Sequence, residues 1–358
     1  MKTKGILLIA AAAMLTVSCS NDVVMSELNR DVISVRATLG KMSKGVLVTS
    51  ANLGQFSIYA SHYDATSQQD TAVIPQCTAN VNSDGITSGY GQHYWPQDGG
   101  ANQVKFYAWG PTDSKNGGQI VATSNTTFTV TPNDEMDTQV DFVYANTQKD
   151  QNTGKNGVNL MFRHAMSQVV VKVRNTQAQY KFNVRGWKIV YLDKDGTFTF
   201  SGSSTDNGTL SKTYWSDNTT ASVNNSYSKT LANSLAITVA DTVVLESNAI
   251  VVPQEVEKAT KYTAAQIGAP FNGAYIAVLM NIEDVNGSVI KAEQWCCWPV
   301  KFDWEPGYKY IYSVDLSTGG YEETNPSDVT DDPAPVMNWI TINPVLDNWI
   351  DVDKEVVM

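Results

Sequence analysis

Side chains that carry chemistry are scarce in this sequence. Its 358 residues include 4 cysteines, 3 histidines and only 17% charged residues. The histidines, His62, His93 and His164, lie far apart in the sequence and no C-x-x-C pair is present, so no metal site is predicted. G-x-S-x-G, H-E-x-x-H and a Gly-rich phosphate loop are absent, and no catalytic pair stands out among the 36 acidic residues. We therefore predict that the protein is not an enzyme and holds no cofactor.

Basic residues are few, and nowhere do they form a run. Lys and Arg together number 25 against 36 acidic residues, which gives a net charge of -11. Nucleic acids and anionic lipid surfaces bind clustered Lys and Arg. The charge balance therefore predicts that nucleic acid is not a partner.

One long apolar run occurs, and it is too short for a transmembrane helix. It covers residues 5–17, follows Lys2 and Lys4, and ends just before Ser18 and Cys19. A bilayer span needs about 20 residues, whereas the core of a signal peptide needs about 7–15. A small residue before cysteine suits lipoprotein signal peptidase, so we predict that residues 1–18 are removed and that Cys19 carries the lipid.

An ordinary secretory signal followed by an unrelated cysteine is the alternative. Removal of residues 1–18 takes away two lysines and no acid, which moves the net charge from -11 to -13. With a lipid on Cys19, the mature chain would be an acidic envelope protein anchored to a membrane.

The three remaining cysteines, Cys77, Cys296 and Cys297, do not form a disulfide framework. Adjacent cysteines on a strand point to opposite faces, so a bond between Cys296 and Cys297 would require a strained turn. We predict a buried, reduced pair, with a vicinal disulfide as the alternative.

Alternating apolar and polar residues dominate the rest of the chain and predict an all-β fold. About 340 mature residues suggest two domains, which we interpret as two β-sandwiches. The clearest predicted strands are QFSIYAS, NQVKFYAW, TTFTVTP, QVVVKVRN, WKIVYLD, GTFTFSG, AITVADTVVLE, AYIAVLMNIE and KYIYSVDL.

Asp195-Gly196 separates two of these strands in YLDKDGTFTF and predicts a tight hairpin, because this pair suits positive φ. The same stretch resembles half of a calcium loop, but it lacks the third oxygen ligand and the distal Glu of that motif.

The C-terminal end is amphipathic with a period of two, which is unusual for a chain terminus. It follows a linker rich in Pro, Asp and Gly at residues 318–335, and Pro344 interrupts it. We predict either a strand pair that closes its own domain or a donor strand that completes the sheet of another copy. The predicted donor face consists of Ile340, Ile342, Leu346, Ile350, Val352, Val356 and Met358.

The N-terminal end contains a possible counterpart of that tail. Residues 31–39 place Ile33, Val35, Ala37 and Leu39 on one face of a predicted strand, and a polar basic loop follows. Cutting that loop would leave the strand attached only by hydrogen bonds and packing, and its loss would expose a groove that invites strand addition.

Several motifs then occur in the order found in a known family. They are YWPQDGGANQVKFYAWGP (with Trp95, Pro96, Phe106, Tyr107, Ala108 and Pro111), DFVYAN at 141–146, LMFRHAMSQVVVKV from Leu160, VVPQ at 251–254, WEPGYKYIYSVDL from Trp304, and VLDNW at 345–349. In this respect the chain resembles the fimbrillins, the lipoprotein subunits of type V pili.

This resemblance implies two transthyretin-like β-sandwich domains, an outer-membrane lipid anchor, proteolytic removal of the first strand, and polymerisation by donated C-terminal strands. The predicted organisation is a signal peptide at 1–18, an N-terminal domain at 19–157, a C-terminal domain at 158–317, and a linker and strand tail at 318–358. The implied partners are other pilus subunits and the outer membrane, with host or bacterial surface glycans as a further candidate.

One feature departs from the family pattern. Members often carry Thr-Arg before the second strand, whereas this chain has Ser50 in that place. The candidate maturation sites are Arg30, Arg36, Lys41 and Lys44. An uncleaved copy would be an anchor or tip, so the alternative to a shaft subunit is an adhesive or glycan-binding surface lipoprotein.

Conspicuous aromatic and histidine residues within these motifs have structural interpretations. We interpret His164 as a hydrogen-bonded structural histidine rather than a catalyst. Core or strand-end positions, rather than a sugar-binding platform, are predicted for Trp95, Trp109, Trp187, Trp295 and Trp304.

Overall fold

The computed structural model describes most of the chain between Val32 and Asn348. The described residues are 32–39, 53–64, 68–96, 103–201, 211–217, 221–259, 273–318, 320–322, 335–337 and 345–348. Within these ranges the chain is almost entirely β, which confirms the predicted fold class.

The first half of the chain contributes nine strands. They are β1 (Val35–Leu39), β2 (Gln55–Asp64), β3 (Gln69–Val81), β4 (Thr87–Ser88), β5 (Val104–Gly110), β6 (Ile120–Ala122), β7 (Thr127–Val130), β8 (Val143–Lys149) and β9 (Val158–His164).

The second half contributes fourteen described strands. They are β10 (Ser167–Arg174), β11 (Tyr180–Leu192), β12 (Gly196–Thr199), β13 (Trp215–Asp217), β14 (Ser222–Ile237), β15 (Thr242–Val251), β16 (Glu255–Val256), β17 (Tyr275–Asp284), β18 (Val289–Pro299), β19 (Phe302–Asp303), β20 (Tyr308–Asp315), β21 (Gly320–Glu322), β22 (Pro335–Met337) and β23 (Val345–Asn348).

Helices in the described residues are single turns. The α-helix α1 is Gln151–Gly154, and 3-10 turns occur at Met136–Thr138, Lys212–Tyr214 and Leu316–Thr318. In the same residues, no helix has the length and apolar character needed to cross a bilayer.

A seven-stranded sheet forms the first half, in the order β1-β9-β8-β5-β2-β3-β4. Its buried side chains, including Phe56, Phe106 and Phe162, form one core cluster. β1 runs parallel to β9 on one side, and on the other side Arg36 of β1 bridges to Ile86 and Val32, just before β1, bridges to Tyr94. β1 therefore links the two ends of the sheet and encloses the core.

A β-sandwich forms the second half. One sheet has the order β15-β10-β20-β23 and the other the order β14-β11-β17-β18-β21-β22. Side chains from both sheets share one core cluster, which includes Trp187 from β11, Val171 from β10 and Tyr312 from β20. Each of the tail strands β22 and β23 lies at an end of one of these two sheets.

A small sheet shared by the two halves joins them. β7 from the first half pairs antiparallel with β12 from the second, with Phe128 opposite Phe198. Phe198 also lies 4.8 Å from the ring centroid of Tyr144 on β8. The aromatic cluster beneath this sheet draws residues from both halves, so the halves pack against each other through apolar contacts.

The predicted domain boundary falls between residues 157 and 158, just before β9. In the structure β9 belongs to the seven-stranded sheet, and the chain enters the sandwich at β10. The division into two transthyretin-like domains stays a prediction.

The predicted hairpin through Asp195-Gly196 is wrong. β11 and β12 are both strands, but β11 pairs with β14 and β17, whereas β12 pairs with β7 and β13. Gly196 does not take a positive φ. A Cβ there would lie 2.8 Å from Cγ1 of Val252, so close packing rather than a tight turn requires glycine at this position.

Candidate functional site

The two ends of the chain that were predicted to exchange strands lie in different sheets. β1 closes the seven-stranded sheet, and β23 lies at the edge of the sandwich sheet that contains β20. We call the place that β1 and residues 32–34 just before it occupy the β1 slot, and define it by β9 on one side and residues 85–94 on the other.

Backbone hydrogen bonds hold β1 on both sides of the slot. On the β9 side, the Val158 N–H donates to the Ser34 carbonyl at 2.8 Å. On the opposite side, the Ile33 N–H donates to the His93 carbonyl at 2.8 Å and the Ala37 N–H donates to the Gly85 carbonyl at 2.9 Å. β1 is thus paired along both of its edges.

Side-chain hydroxyls complete the bonding on the 85–94 side. The Tyr90 hydroxyl accepts from the Val35 N–H at 3.0 Å and donates to the Ile33 carbonyl at 3.3 Å. The Thr87 hydroxyl donates to the Val35 carbonyl at 2.5 Å. Tyr90 and Thr87 were not predicted from the sequence, because neither belongs to a motif with a recognisable spacing.

The predicted face of β1 is buried. Ile33, Val35 and Ala37 are 1%, 3% and 4% exposed, and all three join the core of the seven-stranded sheet. The residues between them are exposed, so the alternation predicted from the sequence is confirmed. Burial of such side chains contributes roughly 25 cal/mol per Å² of apolar area to holding β1 in its slot.

A tight turn shapes the end of the slot next to Ala37. The Asn82 side chain accepts from the N–H groups of Asp84 and Ile86, and Gly85 follows with φ of +76°. A Cβ on Gly85 would lie 2.4 Å from the Ala37 carbonyl oxygen. Glycine is therefore required both by its conformation and by its contact with β1.

The candidate maturation sites fall in and around β1. Arg36 is an exposed residue, the second of β1, and it pairs with Asn159 on one side and with Ile86 on the other. Arg30, Lys41, Lys44 and the predicted lipid-carrying Cys19 lie outside the described residues.

The predicted donor face is described only in part. Leu346 lies in β23, opposite Tyr310 of β20 in an antiparallel pair. Its predicted companions lie outside the described residues, namely Ile340, Ile342, Ile350, Val352, Val356 and Met358. β22 pairs with β21, and β21 pairs with β18 at Cys296 and Cys297.

Hydrogen bonds from residues 304 and 305 hold two buried tyrosines of β20 in place. Its Tyr310 hydroxyl accepts from the Glu305 N–H at 2.7 Å, and its Tyr312 hydroxyl accepts from the Trp304 indole N–H at 2.8 Å. Burial raises the pKa of both tyrosines far above the ordinary value, so both phenols stay neutral. On the edge opposite β23, β20 pairs with β10 over seven residue pairs.

His164 and the tryptophans take the structural roles predicted for them, with one partial exception. His164 Nδ1 is hydrogen-bonded to Asp141 Oδ2 at 2.6 Å in a buried pair. Four of the tryptophans, Trp95, Trp109, Trp187 and Trp304, are at most 1% exposed. The exception is Trp295, which is partly exposed. Lys188 Nζ lies over its ring, 4.3 Å from the ring centroid.

The cysteines and acidic residues form no chemical centre in the described part of the chain. Cys296 and Cys297 are fully buried in the reduced form and pack in different core clusters. Burial raises the pKa of the Cys77 thiol. Across the described ranges, no group of three His, Cys, Asp or Glu side chains is placed to hold a metal ion.

Solved structures with a similar arrangement are distant in sequence. A protein from Parabacteroides distasonis assigned to cell adhesion is 10% identical, with a TM-score of 0.46 over 91% of this chain and 98% of that one. One from Bacteroides ovatus with the same assignment is 13% identical, with a TM-score of 0.43 over 87% and 99%. The fimbrial anchor protein Mfa2 from Porphyromonas gingivalis is 9% identical, with a TM-score of 0.33 over 89% and 98%. Similarities of this size do not transfer a function from those proteins.

The sequence comparison with protein families is decisive. No curated protein matches the chain. The profile of the fimbrillin-like family, however, matches residues 46–331, which is most of the sequence. The chain therefore belongs to the fimbrillin-like family, and its role is a fimbrial, cell-surface one rather than an enzymatic one.

Proposed function

We propose that the protein is a structural pilus subunit that is exported as a lipoprotein and polymerised by strand exchange. In this proposal β1 is a temporary occupant of its slot, which is vacated when a protease cuts near the strand. The C-terminal tail of another copy then fills the slot.

The observation that carries the proposal is the position of β1, which lies between β9 on one side and residues 85–94 on the other. Its removal would uncover unpaired backbone on β9 and on residues 85–94, together with the apolar pockets that held Ile33 and Val35. An empty slot of this kind is a ready acceptor for an extended segment. Among the described side chains, those of Ile33, Val35 and Ala37 would have to be replaced together with the backbone bonds.

The position of β23 supports the donor role of the tail. β23 is a four-residue strand at a sheet edge. Its neighbour β20 is also held by pairing with β10 and by hydrogen bonds from Trp304 and Glu305, none of which involves β23. A strand held in this way can leave without dismantling the sandwich. In a polymer, the tail would exchange its pairing with β20 for pairing in the slot of the next copy.

Deletion of residues 337–358 tests the proposal. On cells, the intact protein should give a ladder of heat-resistant polymers on a gel, and the deleted form should give monomer alone. The purified deleted protein should keep a cooperative thermal transition. Polymer that forms as before, or a product that no longer folds, would contradict strand donation by the tail.

Lipid attachment at Cys19 is tested separately. The Cys19→Ala variant should fail to incorporate labelled fatty acid and should no longer sediment with membranes, because no other segment of the sequence is suited to hold a bilayer. Continued labelling of this variant would contradict the lipoprotein assignment.

An anchor or tip role, adhesive or glycan-binding, is the second candidate, and one sequence feature favours it. Between residues 40 and 52 the basic residues are Lys41 and Lys44, and Ser50 stands where relatives often carry Arg. A copy that is not cut would keep β1 in its slot and end a polymer. N-terminal sequencing of the surface protein distinguishes the roles: a start at Cys19 indicates an anchor or tip, and a start beyond Arg36 indicates a matured shaft subunit.

A further inference from the structure

Trp295 lies on the outer face of the six-stranded sheet of the sandwich. The next residue of β18, Cys296, packs in the sandwich core, whereas Trp295 packs with Cys297 and Tyr275 in a small cluster outside it. Trp295 is partly exposed, unlike the tryptophans of the core. Part of its indole is therefore open to a ligand.

The indole of Trp295 extends across the surface of the sheet. Trp295 is paired with Leu279 of β17, and Leu279 is paired with Gly186 of β11. Two strand spacings, about 9–10 Å, separate the backbones of Trp295 and Gly186. A Cβ on Gly186 would nevertheless lie only 3.5 Å from Cη2 of Trp295. The indole therefore crosses β17, and glycine at position 186 leaves room for its far edge.

A β-bulge in β11 places Arg185 next to the glycine that the indole reaches. The register of β11 with both of its neighbours shifts between Val184 and Gly186, so Arg185 is the extra residue. Val184 and Trp187 pack in the sandwich core, which leaves the two residues between them on the outer face. Lys188 follows on the same face, with its Nζ over the indole at 4.3 Å from the ring centroid.

The guanidinium of Arg185 is not paired with any of the described residues. Arg185 is partly buried, and its Nε is enclosed with no hydrogen-bond acceptor. On the same face, Glu283 of β17 pairs with Lys181 at 3.5 Å rather than with Arg185. Enclosed polar atoms normally have partners, and this chain has 36 acidic residues for 25 basic ones. An unpaired Arg185 beside an accessible indole therefore indicates a ligand with both an anionic group and an apolar face.

We propose that Trp295 and Arg185 form a binding site for an acidic sugar, of the uronic or sialic acid class, on a surface glycan. The C–H face of the sugar ring packs on the indole, and the terminal N–H groups of Arg185 bind the carboxylate. Trp295 thus has a binding role in addition to the structural one predicted from the sequence. This inference rests on the adhesive role given above as the second candidate, and it is independent of strand exchange.

The first test uses the full mature chain and pairs of sugars. Methyl glucuronide and methyl glucoside differ by a carboxylate in place of a hydroxymethyl group, as do methyl galacturonide and methyl galactoside. Sialyllactose and lactose differ by the acidic sugar itself. Titration calorimetry should show binding of at least one acidic sugar, with its neutral counterpart at least about tenfold weaker. Failure of all the acidic sugars to bind would overturn the proposal.

Substitutions then locate the site. Arg185→Met keeps the length of the side chain and removes the charge, so the acidic sugar should bind no better than its neutral counterpart. Trp295→Leu keeps an apolar side chain and removes the aromatic face, and should weaken binding of the acidic sugar about tenfold. Lys172→Met is the matched control, because Lys172 lies between core residues of β10 in the other sheet of the sandwich. The control should bind as the parent does.

Thermal transitions show whether each variant is folded. If Trp295→Leu does not fold, Trp295→Phe replaces it, and the smaller ring should weaken binding about threefold. Unchanged preference for the acidic sugar in Arg185→Met, or equal losses in the Lys172→Met control, would overturn the assignment of the site. Inorganic phosphate or a Glu-rich peptide that binds as tightly as the acidic sugar, with the same dependence on Trp295, would overturn the choice of a sugar.

Adherence of cells to a surface coated with the acidic sugar separates the site from the role. Adherence that survives Arg185→Met, when the purified variant has lost its binding, would contradict the adhesive role and leave the site standing. Adherence that requires the protein, when the purified parent binds none of the acidic sugars, would do the reverse.

Discussion

β1 and β23 are both short strands near the ends of the chain, but they are held in different ways. β1, with residues 32–34 just before it, is hydrogen-bonded along both edges and buries Ile33, Val35 and Ala37 in the core of its sheet. β23 pairs with β20 over four residue pairs, and among the described strands it has no partner on its other edge. Removal of β1 therefore opens a slot, whereas removal of β23 only bares an edge. In the proposed strand exchange, the place of β1 would be the acceptor and the tail that contains β23 would be the donor.

The largest effect is expected from a charge inside the slot. Val35→Asp places a carboxylate where the side chain is 3% exposed, and should lower the free energy of unfolding by about 3–5 kcal/mol. Ser34→Asp puts the same group on the exposed face of the same strand and should cost less than about 1 kcal/mol. Urea denaturation of both variants measures the difference, and similar losses would mean that β1 contributes little to its sheet.

A smaller effect is expected from the turn that contacts β1. Gly85→Ala combines a positive φ with a Cβ placed 2.4 Å from the Ala37 carbonyl oxygen, and should cost about 2–4 kcal/mol. Gly118→Ala is the matched control, since Gly118 has φ of +81° and a Cβ there meets nothing within 4 Å. The control should cost about 1 kcal/mol.

Hydrogen exchange sharpens this prediction. In Gly85→Ala the amides of β1 should lose protection ahead of the rest of the sheet, because the new methyl group presses directly on that strand. Uniform loss throughout the sheet, or the same pattern in Gly118→Ala, would show that the turn does not control β1.

Much of the fold was predictable because the order of apolar and polar residues along its strands matches their buried and exposed positions. β1, β5 and β10 alternate or are continuously apolar, and each was found where its pattern placed it. β14 escaped prediction because its sixteen residues are mostly polar. Among its described side chains, Tyr227 and Ile237 are the ones buried in the core cluster, and its place is set by backbone pairing with β11.

Pairing between strands was harder to predict than the strands themselves. AITVADTVVLE contains the end of β14, a turn at residues 238–241 and the start of β15, which lie in different sheets. β12 likewise leaves the sheet of β11 to join β7. Local sequence specifies where a turn occurs, but the packing of distant aromatic residues such as Phe128 and Phe198 decides which strands become neighbours.

Of the β1 slot, the sequence predicted only the strand that occupies it. The face of Ile33, Val35 and Ala37 followed from period two, and the fimbrillin resemblance suggested its role. Tyr90 and Thr87 could not be found in this way, because they bind a backbone more than fifty residues away in sequence. Contacts of that kind leave no local pattern.

The smallest effect on stability is expected from loss of the tail. Deletion of residues 337–358 removes β23, but β20 keeps its seven pairs with β10 and its buried Tyr310, Tyr312 and Val314. The free energy of unfolding should therefore fall by no more than about 2 kcal/mol, against a usual total of about 5–15 kcal/mol. Differential scanning calorimetry of the intact and deleted proteins measures this directly. A deleted protein that aggregates, or whose transition loses its cooperativity, would mean that the tail belongs to the core of its own sandwich. A small shift combined with protection of β1 equal to that of the parent protein would establish that the two ends of the chain are held independently, as strand exchange between copies requires.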